Sequence, residues 1–449
     1  MTKKYFGTDG IRGTANQFPM TPEIALKVGM VVGKKFTKGD HRHRVVIGKD
    51  TRLSGYVIEP SLTAGLAAVG MDVFLVGPVP TPAVSMITKS LRADIGIMIS
   101  ASHNPYTDNG IKIFDKNGNK LNDEIEGEIE YMLSQDMAQY YAKASDLGKV
   151  KRLENPRGRY IEFVKNSFPK NKNLNNLKIV VDSANGAAYS IAGTIFWELG
   201  AQVIEIGNNP NGCNINENCG STHPELLKKT VIAEKADIGI ALDGDADRLL
   251  VVDENGNEVP GDILIAIIAE KLHQEGSLKR DMVVITQMSN LALENYLSYI
   301  GISTIRTKVG DRHVLEAMKN NKCNFGGEQS GHIVLGDYSN TGDGLVAALQ
   351  ILSALYGSKK KVSELANLFP LMPQILKNIR FDQAKSKNNP LENQQILDFI
   401  KQEEEKLGEN GRIFIRKSGT EPLIRILVEG DNENLIEEVA LNIANQIKK

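Results

Sequence analysis

Cysteine is scarce in this chain. Cys213, Cys219 and Cys323 are the only three in 449 residues, too few and too scattered for a disulfide framework or a four-cysteine metal site. They read as reduced thiols, as expected of a cytoplasmic protein. Charge of one sign is also missing. With 53 basic and 55 acidic residues and a net charge of -2, there is no basic excess to hold nucleic acid or an anionic membrane. Long apolar runs are missing too. The most apolar region, 64–84, is broken by Asp72, glycines and prolines, and the first ten residues have no signal-peptide core. The expected partner is a small soluble ligand, with no nucleic acid and no membrane, for a chain acting as a monomer or homodimer.

What is present is a large globular composition, 41% hydrophobic and 24% charged, long enough for about three domains. One pattern recurs three times. A short apolar strand ends in a polar turn at Arg44–Asp50, Lys178–Ala184 and Met282–Met288. A helix-like stretch follows each and stops at Gly70, Gly200 or Gly301, where a glycine C-cap is expected. A second strand comes next, at 71–76, 201–206 and 302–307. In the third step Ala93-Asp-Ile-Gly-Ile97 leads into Ser100 and Ser102, and Ala236-Asp-Ile-Gly-Ile240 leads into Asp243–Arg248; a weaker copy, Cys323–Gly327, leads into Glu328–His332. Such alternation predicts mainly parallel mixed sheets covered by helices, with ligands bound beyond the carboxyl ends of the strands. The tail differs: strand, helix, two strands and a final helix predict an α+β domain. The expected organisation is three related α/β domains, 1–155, 156–255 and 256–371, and a C-terminal α+β domain, 372–449.

Each strand-end loop carries its own chemistry. Ser102 lies in Ser100–Lys112, a loop with Pro105 and Asn109-Gly110 that reads as presenting the serine to solvent, although the same residues also make ordinary turns. An acyl-transfer role lacks the Gly-x-Ser-x-Gly elbow. His103 is a poor base for it, since neighbours in an extended loop point apart. Asp243, Asp245 and Asp247 crowd one turn and repel one another unless a cation sits among them, and Mg²⁺ is the expected ion. A solvated acidic turn and an aspartyl-phosphate nucleophile at Asp243 are the competing readings. A calcium EF-hand is not, because Arg248 replaces the sharp-turn glycine and the flanks look like strands. A serine beside a Mg²⁺ site suits phosphoryl transfer. Glu328 and Ser330 sit between glycines, as a grip on paired sugar hydroxyls requires, and His332 follows them. Arg416, Lys417, Ser418, Gly419 and Thr420, with Arg425 nearby, form either a phosphate clamp or a basic hairpin on a solvated face. Arg12, in a glycine-rich turn, reaches a phosphate or merely starts the first strand.

Taken in order, SASHNP at Ser100–Pro105, DGDADR at Asp243–Arg248, GEQSGH at Gly327–His332 and RKSGTEP at Arg416–Pro422 make the whole chain resemble the α-D-phosphohexomutases. FGTDGIRG at Phe6–Gly13 and Gln329 resemble the glucosamine branch of that family more than the mannose and glucose branches. The resemblance implies a phosphoserine at Ser102. It also implies one Mg²⁺ on Asp243, Asp245, Asp247 and the Ser102 phosphate. Lys112 is then the first choice for proton transfer with the sugar hydroxyl, Arg248 lies near the moving phosphoryl group, and His332 and Arg12 share that neighbourhood. Glu328 and Ser330 are implied in sugar recognition, and Arg416, Ser418, Gly419, Thr420 and Arg425 in holding the nonreacting phosphate. The implied reaction interconverts a hexosamine 6-phosphate and 1-phosphate through a 1,6-bisphosphate, glucosamine or glucose 1,6-bisphosphate serving as intermediate or activator, and feeds cell-wall precursor synthesis. His313 and Ala292 depart from the tyrosine and glycine the family leads one to expect. The alternatives are a phosphomannomutase or phosphoglucomutase, and a sugar-phosphate binding protein without turnover.

Overall fold

The computed structural model describes residues 4–7, 9–380, 391, 393–417 and 423–448, without the side chains of Glu409 and Lys417. The chain forms two compact units, one built from residues up to Thr286 with Ile302–Asn367, the other from Gln287–Gly301 with the chain after Leu368.

Three sheets belong to the first unit. One contains β1 (Phe6–Gly7), β2 (Gly10–Thr14), β3 (Arg44–Lys49), β4 (Asp72–Pro78), β5 (Ile95–Ile99), β6 (Asp108–Asp115) and β7 (Val150–Arg152), in the order β1-β2-β6-β5-β3-β4-β7. The next contains β8 (Lys178–Asp182), β9 (Gln202–Ile206), β10 (Ile238–Leu242), β11 (Leu249–Val252) and β12 (Glu258–Val259), ordered β12-β11-β10-β8-β9. In the third, β13 (Met282–Thr286), β14 (Ser303–Thr307), β15 (Phe325–Gly327) and β16 (Ile333–Leu335) are ordered β14-β13-β15-β16.

The threefold repeat is real at the level of strand pairing. The first strand of each copy, β3, β8 or β13, lies parallel to the two that follow it, and the last of these pairs antiparallel with β6, β11 or β16. β5 and β10 are buried at every residue, which is why they read as unbroken apolar runs and not as alternating ones. The three helix stops also agree. Gly70, Gly200 and Gly301 have φ of +95°, +101° and +84°, the left-handed conformation that ends a helix and costs a side-chain-bearing residue more than glycine. One core of this unit packs Val45, Ile47, Ile95, Ile97 and Ile111 with Val28, Leu62 and Leu66 from the helices Pro22–Phe36 and Gly55–Ala68.

The second unit carries the sheet β17 (Gln374–Arg380), β18 (Arg412–Lys417) and β19 (Leu423–Glu429), antiparallel in the order β17-β19-β18. Helices Gln394–Leu407 and Glu433–Lys448 cover it, burying Ile396, Val439 and Ile443 against Ile424, Ile426 and Val428. The helix Leu291–Tyr299, third of the repeated helices, belongs here too: Tyr296 packs its ring 4.8 Å from that of Phe369, and Arg412 donates to Ser289 O at 2.7 Å.

Candidate active site

Ser102 occupies the turn after β5, and it is buried. Its residue is only 2% exposed, which corrects the expectation of a serine presented to solvent. One local and one long-range bond tie the loop down: Ser100 Oγ accepts the Ser102 N–H at 2.9 Å and donates to Asp50, 50 positions away, at 2.7 Å. Ser102 takes a left-handed φ of 51°, so the backbone is not extended there. The serine hydroxyl consequently lies 3.3 Å from His103 Nδ1, contrary to the expectation that these neighbours point apart. Burial, then the positive charges of Arg248 and Arg12, lower His103 to about 4; it is a neutral ring at physiological pH.

Arg52 holds the loop from beneath. This fully buried guanidinium donates to Ser102 O at 2.9 Å, Asn104 O at 2.8 Å and Asp108 O at 3.0 Å, as well as to Pro105 O, and pairs with Asp50 at 2.8 Å. Asn216 donates from the far side to Ser102 O at 2.9 Å and Asn104 O at 3.0 Å. Sequence reasoning passed over both. Its one available signal was Lys49-Asp50-Thr51-Arg52, the polar turn at the carboxyl end of β3, where the topology puts functional loops.

The turn after β10 lies directly against the serine. A Cβ on Gly244 would come within 2.5 Å of Ser102 O, so only glycine permits this approach. Ser102 Oγ donates to Asp243 Oδ2 at 2.5 Å. Asp243, Asp245 and Asp247 are all buried and each offers a carboxylate oxygen within 4.8 Å of the others. Burial, followed by repulsion from Asp247 and Asp245, pushes the Asp243 carboxyl well above the usual range. Asp245 Oδ1 and Asp247 Oδ1 are buried and accept no hydrogen bond. Orphaned anionic oxygens converging on one point fit a hard divalent cation, and they rule out the solvated acidic turn.

Cations already ring this cluster. Lys112, on β6, is buried with Nζ 2.7 Å from Asp245 Oδ2 and 3.4 Å from Asp247 Oδ2 and Asp9 Oδ2. Burial alone would lower its pKa, but the carboxylates of Asp245, Asp9 and Asp247 win and raise it well above the ordinary lysine range. Arg12 pairs with Asp9. Arg248 donates its backbone N–H to Asp243 at 3.2 Å, and its Nε, buried without a hydrogen-bond partner, lies 4.0 Å from Asp247 Oδ1. His332 Nδ1 is 3.6 Å from Asp247, and Nε2 is 3.6 Å from Asp311 Oδ2 and 3.1 Å from the Gly342 nitrogen. Burial opposes its charge, yet Asp247 and Asp311 outweigh that and raise it to about 8. Asp9, Lys120 and Asp311 complete the ring, Lys120 bridging the two carboxylates. Lys120 and Asp311 stand outside every motif, so nothing in the sequence singled them out, and Asp9 lies within FGTDGIRG, where only Arg12 was given a role.

Ser102, Lys112, Arg248, His332 and the three aspartates therefore meet at one place, with Arg12 joined through Asp9. Glu328 is half-buried beside them, accepting the Gly310 N–H at 3.2 Å, while Ser330 is exposed in the same turn. Of the remaining expected residues, Arg416 and Arg425 lie in the second unit and face each other across β18 and β19. Each has a buried Nε without a hydrogen-bond partner. Burial and then Arg425 lower the Arg416 pKa. Opposed like charges destabilise a strand pair, and an anion between them would relieve that repulsion. Ser418, Gly419 and Thr420 lie outside the described residues.

Family models agree with this geometry along the whole chain. Those of phosphoglucomutase/phosphomannomutase match as alpha/beta/alpha domain I over 3–139, domain II over 158–256, domain III over 260–372 and the C-terminal domain over 376–446. Phosphoglucosamine mutase of Parvibaculum lavamentivorans is 55% identical over 448 residues, covering 100% of this chain and 99% of its own. That of Allorhizobium ampelinum is 56% identical over 447 residues, covering 100% and 98%. Among solved structures, a phosphoglucomutase/phosphomannomutase family protein from Burkholderia thailandensis superposes with a TM-score of 0.83 at 23% identity, covering 100% of this chain and 97% of its own, and shows the same fold. This chain belongs to the phosphoglucomutase/phosphomannomutase family of mutase isomerases.

Proposed function

We propose that the enzyme interconverts glucosamine 6-phosphate and glucosamine 1-phosphate through phosphorylated Ser102 and a glucosamine 1,6-bisphosphate intermediate. The observation that carries this is the Ser102 hydroxyl resting on Asp243 inside a buried triad of carboxylates. Full-length identity to phosphoglucosamine mutases supports the choice of sugar. The four domains proposed are 1–155, 156–255, 256–371 and 372–449.

The residues divide the work. Ser102 carries the phosphoryl group. The loop clamp made by Arg52 and Asn216 keeps its oxygen aligned, so that the reacting atoms meet without a fresh entropic cost. Asp243, Asp245 and Asp247 are proposed to hold Mg²⁺, which when bound neutralises charge on the phosphoryl oxygens. Arg248 adds a guanidinium to the same charge, with His332 and Arg12 completing the positive surround. Lys112, protonated at the start, relays protons: as the sugar hydroxyl attacks phosphoserine it gives a proton to the leaving Ser102 oxygen and takes the hydroxyl's proton, and as the P–O bond to the sugar breaks it gives a proton to the sugar oxygen and takes that of the attacking Ser102 hydroxyl. Glu328 and Ser330 recognise sugar hydroxyls. Arg416 and Arg425, with Ser418, Gly419 and Thr420, hold the phosphate that is not reacting, so that binding energy is spent away from the chemistry.

Intact-mass analysis of purified protein and of Ser102→Ala, with initial rates on glucosamine, glucose and mannose 6-phosphates, tests this. One phosphate present in the wild type, absent from the variant, and turnover fastest on glucosamine 6-phosphate are expected. Normal turnover by Ser102→Ala defeats the mechanism. A faster rate on mannose or glucose phosphate retains the mechanism and overturns the sugar.

A further inference from the structure

A second cluster of ligating side chains lies at the opposite end of the first sheet. His41 and His43 precede β3, and Asp94 precedes β5. β3 and β5 run parallel with Val45 opposite Ile95, so these residues share the amino-terminal edge of the sheet, while Asp50 and Ser102 share its carboxyl edge. Six residues of strand separate the two edges by roughly 20 Å.

In an extended lead-in, positions two apart share a face. His41 and His43 accordingly turn the same way, their rings 4.2 Å apart and inclined at 62°. Arg42, between them, points elsewhere: it bonds Asp72 at 3.0 and 2.8 Å and Leu147 O at 2.7 Å, which keeps its positive charge occupied. Asp94 Oδ1 lies 2.8 Å from His41 Nε2 and 3.5 Å from His43 Nδ1. Its Oδ2 accepts the Arg44 N–H at 2.8 Å, which fixes the carboxylate plane as an outer-shell bond does for a metal ligand. His43 is 8% exposed, and its Nδ1 is buried with no hydrogen-bond partner. A buried ring nitrogen aimed at a carboxylate without bonding it calls for an explanation.

We propose that His41 Nε2, His43 Nδ1 and Asp94 Oδ1 form a binding site for a divalent late transition metal such as Zn²⁺, distinct from the carboxylate cluster at Ser102. Two imidazoles and one carboxylate favour Zn²⁺, Ni²⁺ or Cu²⁺, whereas Mg²⁺ selects all-oxygen sites. Size agrees as well. Tetrahedral ligands about 2.0–2.1 Å from Zn²⁺ stand about 3.3 Å from one another. The His43 to Asp94 separation of 3.5 Å already meets this. The 2.8 Å contact has only to open slightly, and His41, with a side chain 59% exposed, is free to rotate. Water fills the fourth position. The ion cross-links the approach to β3 with the approach to β5, a structural role outside turnover.

The test is calorimetric titration of Zn²⁺ into untagged full-length protein in excess Mg²⁺, comparing wild type with His41→Ala, His43→Ala and Asp243→Asn. One Zn²⁺ site is expected in wild type and in Asp243→Asn. Its affinity is expected to fall at least about tenfold in each histidine variant, since losing a ligand costs more than losing an outer-shell partner. Turnover with Mg²⁺ should be unchanged in His41→Ala, whose exposed side chain makes misfolding no concern. Equal Zn²⁺ affinity and stoichiometry in wild type and both histidine variants would overturn the proposal, as would a Zn²⁺ site lost only in Asp243→Asn.

Discussion

Arg52→Ala is the perturbation that the serine loop should feel most. The side chain is fully buried, and its removal leaves Asp50 without its countercharge and four loop carbonyls, of Ser102, Asn104, Pro105 and Asp108, without that donor. Breaking a buried ion pair from one side costs about 3–5 kcal/mol, and each carbonyl left short of a donor adds about 1 kcal/mol or more unless water reaches it. Burial already raises the Asp50 pKa against the opposing pull of Arg52; without Arg52 the carboxyl rises further and gives up its charge, which limits the loss. If about 3 kcal/mol of this falls on the loop alone, kcat/KM drops about a hundredfold. Arg52→Lys keeps the charge but offers three donors where the fork offered five, so it should lie between. Pairing Asp50→Asn with Arg52→Ala removes the stranded charge and should recover part of the stability. Urea denaturation, with initial rates on glucosamine 6-phosphate, reads both effects. The exposed pair Arg42–Asp72 supplies the control, since Arg42→Ala should cost under about 1 kcal/mol. Arg52→Ala matching that control in both stability and rate would refute the reasoning.

Asp343 caps the helix Gly344–Ser358, accepting from Leu345 N, Val346 N and the Tyr160 hydroxyl; burial raises it to about 6 even though these donors lower it. Its folded pKa lies above the unfolded value, so between pH 4 and 6 the folded chain keeps a proton that the unfolded chain releases, and stability falls by about 3 kcal/mol as pH rises through that window. Asp343→Asn retains the cap without the charge, so its melting temperature relative to wild type should climb from pH 4 to 6 and then level; parallel curves would contradict this. Arg425→Ala relieves the repulsion against Arg416 across β18 and β19, and should leave the melting temperature equal or higher while raising KM for the phosphosugar at least about tenfold; an unchanged KM would remove these arginines from phosphate binding.

What could be read from residues alone was whatever the chain states locally. Apolar runs bounded by glycine announced the repeated strands and helix stops, because buried parallel strands need apolar residues on both faces and a helix ending in a left-handed residue favours glycine. Alternating aspartates announced a cation because their charges cannot coexist bare. The exposure of Ser102 was misread for the complementary reason. Loop composition reports how the chain turns, but burial depends on what closes over the turn, here Arg52, Asn216 and Asp243 from 50, 114 and 141 positions away. Lys120 and Asp311, and the pairing of Asp9 with Lys120, were illegible on the same ground, since a bridge spanning 111 and 191 positions leaves no local pattern. Yet such distant groups decide the electrostatics. Lys112 would lose its charge in an apolar interior; it is held protonated by Asp9, from the turn between β1 and β2, and by Asp245 and Asp247, from the turn after β10. A motif thus identifies which atoms react, whereas their protonation is set by residues that the topology gathers from several repeats.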